Sequence, residues 1–391
     1  MIRSSIKWES DGQNDHGGAM KGASIDSCPA NGGHGSHSYS KNSYYQKSSV
    51  DIVRIKIEEE IKEKFSTTNL ISSSSSSSNT IRLADLGCAT GPNTFWTMQY
   101  IIDAMKSNLK SPCPNSPKLS PNFQVFFNDQ ITNDFNTLFL SLPQQRDYFA
   151  AAAPGSFYGR LFPDSSIHFV HTAYSIHWLS AVPAEVRDKR SAAWNRGRIH
   201  YIGAAEEVVE AYAGGFAADM ERFLEARAEE MVGGGIMVMI CLGVCDGVSP
   251  SQLPFRILYD NLAFALIDMA KEGLLNEDEV DSFNLPMYIT CPKEMRKLIE
   301  KNGHFSIERI ELTESATWVK ENIDIRVWIN HVRAAMEGTF IEHFKKKELM
   351  DEMFERVIRK LSNYPEEINE KLHEKVQLFA VLKRKEDAFL N

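Results

Sequence analysis

The sequence predicts an α/β fold in which helices cover both faces of a mostly parallel β-sheet. Short runs that are apolar throughout, such as 81–87 and 235–243, are typical of strands buried on both faces. Amphipathic stretches separate the earlier runs, as crossover helices separate parallel strands. The first run leads into a glycine-containing turn, ADLGCATGPNT (84–94). In an open parallel sheet, such a turn borders the crevice that binds ligands.

The pattern of apolar residues defines the individual elements. Predicted strands occupy 81–87, 123–129, 166–175, 235–243, 305–312 and 376–385. A helix is predicted over 51–65, with Ile52, Ile55 or Ile57, and Ile61 on one face. A second helix follows the glycine turn, because apolar residues recur there every three or four positions: Phe95, Met98, Ile102, Met105 and Leu109.

Composition separates a flexible start from one large domain. Residues 1–35 are rich in Gly, Ser, Asp and Asn, so we expect a flexible segment ahead of a domain over 36–391. The serine run within 71–80 predicts a flexible loop. Three tracts interrupt the strand–helix alternation and are predicted to form a helical cap over the ligand edge of the sheet: about 186–225, 250–300 and 315–370.

Charge and hydropathy restrict the partners and the compartment. The 391 residues carry a formal net charge of −9, which argues against nucleic acid and anionic membranes as main partners. The longest apolar run, 236–242, is much shorter than the roughly 20 residues of a membrane span. The 6 cysteines form no CxxC pair and are expected to be reduced thiols, which predicts a cytoplasmic protein.

The glycine turn indicates the kind of ligand. Gly87 and Gly91 permit close approach to the backbone, but their G-x-x-x-G spacing differs from the G-x-G-x-x-G of dinucleotide-binding turns. A nicotinamide oxidoreductase is therefore disfavoured. Asp129, at the end of the second predicted strand, is placed to accept both ribose hydroxyls of a nucleoside. Together with Asp85, it favours S-adenosylmethionine as the cofactor.

Longer motifs follow one another along the chain: SYSKNSYYQ (38–46), DLGCATGPNT (85–94), FFNDQITNDFN (126–136), PGSFYGRLFP (154–163), SIHWLS (175–180), NRGRIHY (195–201) and DSFNLPMY (281–288). Together they closely resemble the plant carboxyl methyltransferases of the salicylate, benzoate and theobromine synthase (SABATH) family. The resemblance covers about residues 31–385. It implies a Rossmann-like class I methyltransferase sheet with a helical cap, S-adenosylmethionine as cofactor, a small-molecule acid as substrate and a homodimer.

The resemblance also implies which residues bind the two ligands. Asp129 would bind the ribose, Ser156 and Phe157 would flank the adenine, and Cys88 with Asn93 would hold the methionine end. The full set implied for the cofactor is Tyr39, Cys88, Asn93, Asp129, Gln130, Ser156 and Phe157. The set implied for the acceptor is Tyr45, Gln46, Tyr174, His177, Trp178 and Tyr259.

Some members of the family contain Mg2+, and the matching positions here supply oxygen ligands. They are Asn195, Asp281, the main-chain oxygen of Phe283, and Asn284. Oxygen-only ligands suit this ion, so bound Mg2+ is a possible cofactor. His168 and His171 have the spacing of a metal pair, but residues three apart on a strand face opposite sides, so we expect no zinc site.

The expected reaction needs positioning rather than acid–base catalysis. A carboxylic acid has an ordinary pKa near 4 and is ionised at pH 7, so its oxygen attacks the methyl group without a general base. We therefore expect no catalytic residue in the acid–base sense. The amide N–H of Gln46 and the indole N–H of Trp178 are donors that can aim one carboxylate oxygen at the methyl carbon.

His177 and Asn31 bear on the substrate. Salicylate-methylating relatives have methionine at the position of His177. A buried histidine there requires a polar partner, which favours a hydroxylated acid, such as an iridoid of the loganate type. Asn31 stands where carboxyl-methylating relatives usually carry lysine and where xanthine-methylating relatives resemble asparagine. An N-methyltransferase of a xanthine-like heterocycle is therefore the alternative, and xanthine carbonyls could also contact His177. A non-catalytic protein with a decayed site is disfavoured, because Asp129, Ser156 and Trp178 are all present.

Overall fold

A computed structural model gives the three-dimensional structure of most of the chain. It describes residues 28–65, 79–109, 121–248, 252, 255–314, 324–366, 368 and 376–386. The predicted serine loop lies almost entirely outside these residues, as do residues 1–27 of the predicted flexible start. No helix in the described ranges is long and apolar enough to cross a membrane.

The described residues form a seven-stranded sheet with the order β3-β2-β1-β4-β5-β7-β6. Its strands are β1 Thr80–Leu86, β2 Asn122–Asp129, β3 Phe149–Pro154, β4 Ile167–Ala173, β5 Met231–Leu242, β6 Phe305–Thr313 and β7 Gln377–Arg384. Strands β1 to β5 pair in parallel, whereas β7 runs antiparallel to both β5 and β6. The prediction of a mostly parallel α/β sheet is confirmed.

The helices are α1 Tyr39–Asn42, α2 Tyr44–Lys64, α3 Asn93–Asn108, α4 Phe135–Leu140, α5 Glu206–Glu230, α6 Arg256–Lys271, α7 Glu277–Ser282, α8 Pro292–Asn302, α9 Ile325–Phe344 and α10 Met350–Leu361. Helix α2 begins earlier than predicted and thereby includes Tyr45 and Gln46. Of the two isoleucines predicted as alternatives for its core face, Ile57 is fully buried, whereas Ile55 is 68% exposed.

Strand β3 is the one strand of the described sheet that the apolar runs do not reveal. Its sequence, FAAAAP, is dominated by alanine, which has a low strand propensity. The strand lies at the edge of the sheet beside β2, and none of its residues is fully buried. An edge strand of this kind lacks the continuous apolar pattern that identifies the central strands.

Alternate residues of β1 contribute to two separate hydrophobic layers. Leu83 packs with Ile57 of α2 and with residues of α3 on one face of the sheet. Leu86 belongs to the layer on the other face, which includes Met220 of α5 and the helices of the cap. Because both faces are covered, the carboxyl ends of the parallel strands form the accessible edge.

The cap consists mainly of α6, α9 and α10, with α10 packed on both α6 and α9. Helix α5 connects the parallel strands β4 and β5, so residues 206–225 of the tract 186–225 belong to the strand–helix alternation and not to the cap. Residues 28–35 are described and contact the rest of the fold: the backbone N–H of Asn31 donates to Ala334 of α9, 2.8 Å away, and that of Gly33 donates to Asp134.

Candidate active site

The glycine turn brings the ends of β1 and β2 together. Gly87 has a φ of +80°, and a Cβ atom there would lie 1.9 Å from Oγ of Ser175. The backbone N–H groups of Gly87 and Cys88 both donate to the carbonyl of Asn128 at 2.9 Å. Glycine is therefore required at 87 for both its conformation and its lack of a side chain.

Asp129 lies at the end of β2, directly beside this turn. Its Oδ2 accepts a hydrogen bond from the backbone N–H of Ala89 at 2.8 Å, and its Oδ1 accepts one from Gln130 at 2.8 Å. Burial raises the pKa of Asp129 to about 6, although both hydrogen bonds oppose the shift. Each oxygen keeps a further lone pair, so the carboxylate can accept a pair of vicinal hydroxyls.

The first of three adjoining cavities contains this carboxylate, and we call it the Asp129 cavity. Among its wall residues are Tyr39, Asp129, Gln130, Ser156 and Phe157, all predicted to bind the cofactor. An unpredicted residue shapes its wall: Arg227 of α5 is fully buried and donates to the carbonyls of Phe157 and Gly159 at 2.8 and 2.9 Å.

The second cavity lies between α2 and α3, and we call it the Asp85 cavity. The other two residues predicted for the cofactor, Cys88 and Asn93, line it together with Asp85. Tyr39 and Gly87 belong to the walls of both cavities. A ligand held at Asp129 can therefore extend past the glycine turn toward Asp85.

The third cavity, which we call the Trp178 cavity, lies between the sheet edge and the cap. All of the residues predicted for the acceptor line it: Tyr45, Gln46, Tyr174, His177, Trp178 and Tyr259. Tyr174 and Trp178 also line the Asp129 cavity, so the two sites adjoin. Sequence reasoning missed the contribution of α9, whose Trp328, His331 and Met336 complete the wall.

Tyr174 occupies a constrained position at the junction of the Asp129 and Trp178 cavities. Its φ of +57° is uncommon for a residue other than glycine. Its hydroxyl donates to Oε1 of Gln377 on β7, and its ring packs edge-on against Tyr45 with the centroids 5.9 Å apart. Contacts from two different elements thus stabilise a strained backbone at the site, as is common where geometry matters for function.

The polar groups of the Trp178 cavity are neutral. Burial lowers the pKa of His177 to about 3 and that of His331 to about 4. The described residues that line the cavity include no Asp, Glu, Lys or Arg. The histidines of this cavity are therefore weak bases, and none is an effective general base near pH 7. The described wall of the cavity also has no cation, which would stabilise an acceptor carboxylate and so reduce its nucleophilicity. Only an acceptor that is already nucleophilic fits such a site.

The residues predicted to bind Mg2+ lie at the base of the cap. Nδ2 of Asn195 donates to Oδ1 of Asn284 at 2.7 Å, and Oδ1 of Asp281 accepts from the backbone N–H of Gly197. Oδ1 of Asn195 is buried and has no hydrogen-bond partner among the described residues. This unused oxygen and the neighbouring amide and carboxylate oxygens fit the ion in donor type.

Comparisons with known proteins agree with this geometry. A family model described as SAM-dependent carboxyl methyltransferase matches residues 26–385. Loganic acid O-methyltransferase of Catharanthus roseus is 42% identical over 92% of this chain and 95% of that protein. Jasmonate O-methyltransferase of Arabidopsis thaliana is 35% identical over 85% of this chain and 93% of that protein.

A solved structure, loganic acid methyltransferase with SAH, matches with a TM-score of 0.86 at 42% identity and covers 92% of this chain and all of that chain. The fold is therefore that of a methyltransferase with the class I sheet, in which the Asp129 cavity adjoins the Trp178 cavity. The chain belongs to the family of S-adenosylmethionine-dependent carboxyl methyltransferases. The predictions of enzyme class and of the cofactor S-adenosylmethionine are confirmed.

Proposed function

We propose that the protein methylates the carboxylate of a small, hydroxylated plant acid, with iridoid acids of the loganate type as the favoured substrates. The observation that supports this most directly is the chemistry of the Trp178 cavity. Its largely aromatic and aliphatic wall carries the polar side chains of Gln46, His177 and His331. Nδ1 of His177 is buried and has no partner in the described part of the chain, so a substrate hydroxyl can satisfy it.

In this proposal the protein contributes binding and orientation. S-adenosylmethionine supplies a methyl group on a positively charged sulfur. Asp129 binds the ribose through its two carboxylate oxygens, and the glycine turn admits the rest of the cofactor. Gln46 and Trp178 donate hydrogen bonds to the acceptor carboxylate and align one oxygen with the methyl carbon. The apolar wall excludes water, which strengthens these contacts.

The acceptor is tested with a labelled methyl donor and a panel of acids and xanthines. The panel contains loganate, salicylate, jasmonate, indole-3-acetate and gibberellins. We expect an alkali-labile methyl group on a polyhydroxylated acid, because esters hydrolyse in alkali and N-methyl groups do not. A clear preference for salicylate over every hydroxylated acid contradicts the proposed substrate class.

The xanthine alternative rests on Asn31 and His177, and the geometry of Asn31 gives it little support. Nδ2 of Asn31 donates to Oε2 of Glu337 on α9 at 2.6 Å and to the carbonyl of His37. Asn31 is absent from the described walls of all three cavities. Its side chain ties the N-terminal segment to the cap, so its difference from carboxyl-methylating relatives gives no reason to expect a heterocyclic acceptor.

Bound Mg2+, a homodimer and a cytoplasmic location are further parts of the proposal that rest on the sequence. Bound Mg2+ would stabilise the contact between the loop at Asn195 and the segment at Asp281. A rise in melting temperature with added Mg2+ that Asn195→Ala abolishes would support the site. Light scattering at the mass of a monomer, 44.2 kDa, would contradict the dimer.

A further inference from the structure

Tyr158 connects the wall of the Asp129 cavity with the segment that carries Trp178. It follows Phe157 directly in the chain and is 8% exposed. Its hydroxyl donates to the main-chain carbonyl of Trp178 at 2.6 Å and lies 3.3 Å from that of Ile176 in the same segment. Burial raises the pKa of the Tyr158 phenol well above its ordinary value, so the hydroxyl keeps its proton and remains a donor.

The loop that carries Tyr158 is held in turn by α5. The buried guanidinium of Arg227 donates to the carbonyls of Phe157 and Gly159 at 2.8 and 2.9 Å. Arg227 also pairs with Glu230 at 2.7 Å, and this carboxylate accepts a backbone N–H at the far end of the loop, 3.0 Å away. Hydrogen bonds to buried charged groups are strong and costly to leave unmade, so the loop is a rigid support for Tyr158.

The position of Trp178 matters because of where this residue lies. It lines both the Asp129 and the Trp178 cavities, and its indole N–H is the donor proposed to orient the acceptor carboxylate. Methyl transfer depends on alignment, and a misplacement of about 1 Å can cost about a hundredfold in rate. A contact that fixes the main chain of Trp178 relative to the wall of the Asp129 cavity therefore acts on the alignment of the two ligands.

We propose that Tyr158 is a positioning residue for methyl transfer, whose hydroxyl fixes Trp178 relative to the loop predicted to flank the adenine. The inference rests on the proposed function, since it assumes that Trp178 orients the acid. The hydroxyl acts through the carbonyl of Trp178 and not on a ligand. Its removal is therefore expected to reduce transfer and to leave the affinity for S-adenosylhomocysteine nearly unchanged.

Tyr158→Phe removes the hydroxyl and keeps the ring. We expect kcat/KM for the acid to fall about tenfold or more, while the calorimetric affinity for S-adenosylhomocysteine stays within about twofold. A double-mutant cycle with Trp178→Phe separates positioning from a general structural effect, because residues that act through one another are not additive. In the Trp178→Phe background, Tyr158→Phe should cost less than about twofold more. Losses that multiply overturn the proposal.

An NMR measurement tests the same contact without turnover. Each of the 6 tryptophans gives one indole N–H signal, and that of Trp178 is the signal missing in Trp178→Phe. Tyr158→Phe should shift this signal by more than its line width. Tyr212→Phe is the matched control, because the hydroxyl of this buried tyrosine of α5 donates to the carbonyl of Leu285 at 3.0 Å. It should leave the Trp178 signal in place and kcat/KM within about twofold.

If Tyr158→Phe does not fold, two replacements of Tyr158 that fill the space of the hydroxyl decide the question. The para-fluorine of para-fluorophenylalanine carries no proton to donate, so this replacement should shift the Trp178 signal and reduce transfer. The amino group of para-aminophenylalanine keeps an N–H donor, so this replacement should retain both the signal and most of the activity. Equal effects of the two replacements overturn the proposal.

The outcomes distinguish this inference from the proposed function. Loss of transfer in Trp178→Phe but not in Tyr158→Phe overturns the inference alone, as does an unshifted Trp178 signal in Tyr158→Phe. Full activity of Trp178→Phe contradicts both the inference and the proposed role of Trp178. If no acid is methylated, the proposed function fails, and the shift of the Trp178 signal decides the inference by itself.

Discussion

The side-chain amide of Gln46 lies 3.3 Å from Nε2 of His331, and this contact joins α2 to the cap helix α9 across 285 positions of sequence. Nδ1 of His331 is 3.1 Å from the carbonyl of Asn42, so that nitrogen carries the proton and Nε2 accepts from Gln46. The orientation of the Gln46 amide is thereby fixed. Its second N–H is available to an acceptor carboxylate.

Replacing His331 should therefore affect transfer but not cofactor binding. His331→Phe preserves an aromatic ring and removes the acceptor for Gln46, so we expect kcat/KM for the acid to fall about tenfold or more. His331→Gln, whose amide oxygen can accept the same hydrogen bond, should retain more of the activity. Steady-state kinetics measure both variants. Equal activity of His331→Phe and the unaltered protein would mean that the contact does not orient Gln46.

Trp178→Phe removes the indole N–H and keeps most of the ring. Trp178 lines both the Asp129 and the Trp178 cavities, so its donor is available where the two ligands meet. We expect S-adenosylhomocysteine affinity within about twofold of the unaltered protein and a loss of transfer of about tenfold or more. Activity that survives at nearly the original level would identify Trp178 as a packing residue.

Asp129→Asn should weaken the cofactor complex, and the unaltered Asp129 should make stability depend on pH. Burial raises the pKa of Asp129 to about 6 from an ordinary 3.8, so the charged form destabilises the fold. Its contribution to stability therefore improves as the pH falls through about 6 toward 3.8, and stays constant at its least favourable value above 6. At pH 7.5 the variant should bind S-adenosylhomocysteine about tenfold more weakly in calorimetric titrations, because its side chain is uncharged and keeps only one acceptor oxygen.

The same pKa predicts the pH dependence of cofactor binding. Lowering the pH below about 6 protonates Asp129 and removes the charge that binds the ribose, so affinity should fall. Asp129→Asn should bind weakly across this range and lose that pH dependence. Titrations between pH 5 and pH 8 compare the two proteins. An unaltered protein whose affinity is constant over this range would contradict the assignment of the ribose to Asp129.

Two isoleucines of α2 provide a test of the fold. Ile57 is fully buried under the sheet, whereas Ile55 is 68% exposed. Ile57→Ala should lower the free energy of unfolding by about 2–5 kcal/mol, because it leaves a cavity in the core. Ile55→Ala should change it by less than about 0.5 kcal/mol. Denaturant unfolding measures both, and equal effects would contradict the packing of α2.

The sequence predicts the central strands well because burial on both faces produces continuous apolar runs. It does not reveal β3, where alanines at a sheet edge lack that pattern. The predicted start of α2 is also several residues too late. The first turn of the helix contains Tyr45 and Gln46, which line the Trp178 cavity and do not follow the amphipathic pattern. Residues selected for a binding site obscure the periodicity on which such predictions depend.

The candidate site follows a similar rule. Residues within contiguous motifs, such as Asp129 and Trp178, are predictable because neighbouring residues identify them. His331 and Arg227 are not, since each acts through contacts far away in sequence: with Gln46 in one case, with the carbonyls at 157 and 159 in the other. A histidine or an arginine in a helix carries no local signal of such a contact.

Five residues of α9 face the Trp178 cavity: Trp328, His331, Val332, Ala335 and Met336. They occupy positions i, i+3, i+4, i+7 and i+8, which lie along one side of the helix. Four of them are absent from the walls of the cavities predicted to hold the cofactor; Ala335 is the exception. Substitutions on this one helical stripe can therefore alter which acid is accepted without reducing affinity for the methyl donor. After gene duplication, such a separation would allow single substitutions on α9 to produce enzymes that form new esters, while the residues predicted to bind the methyl donor stay unchanged.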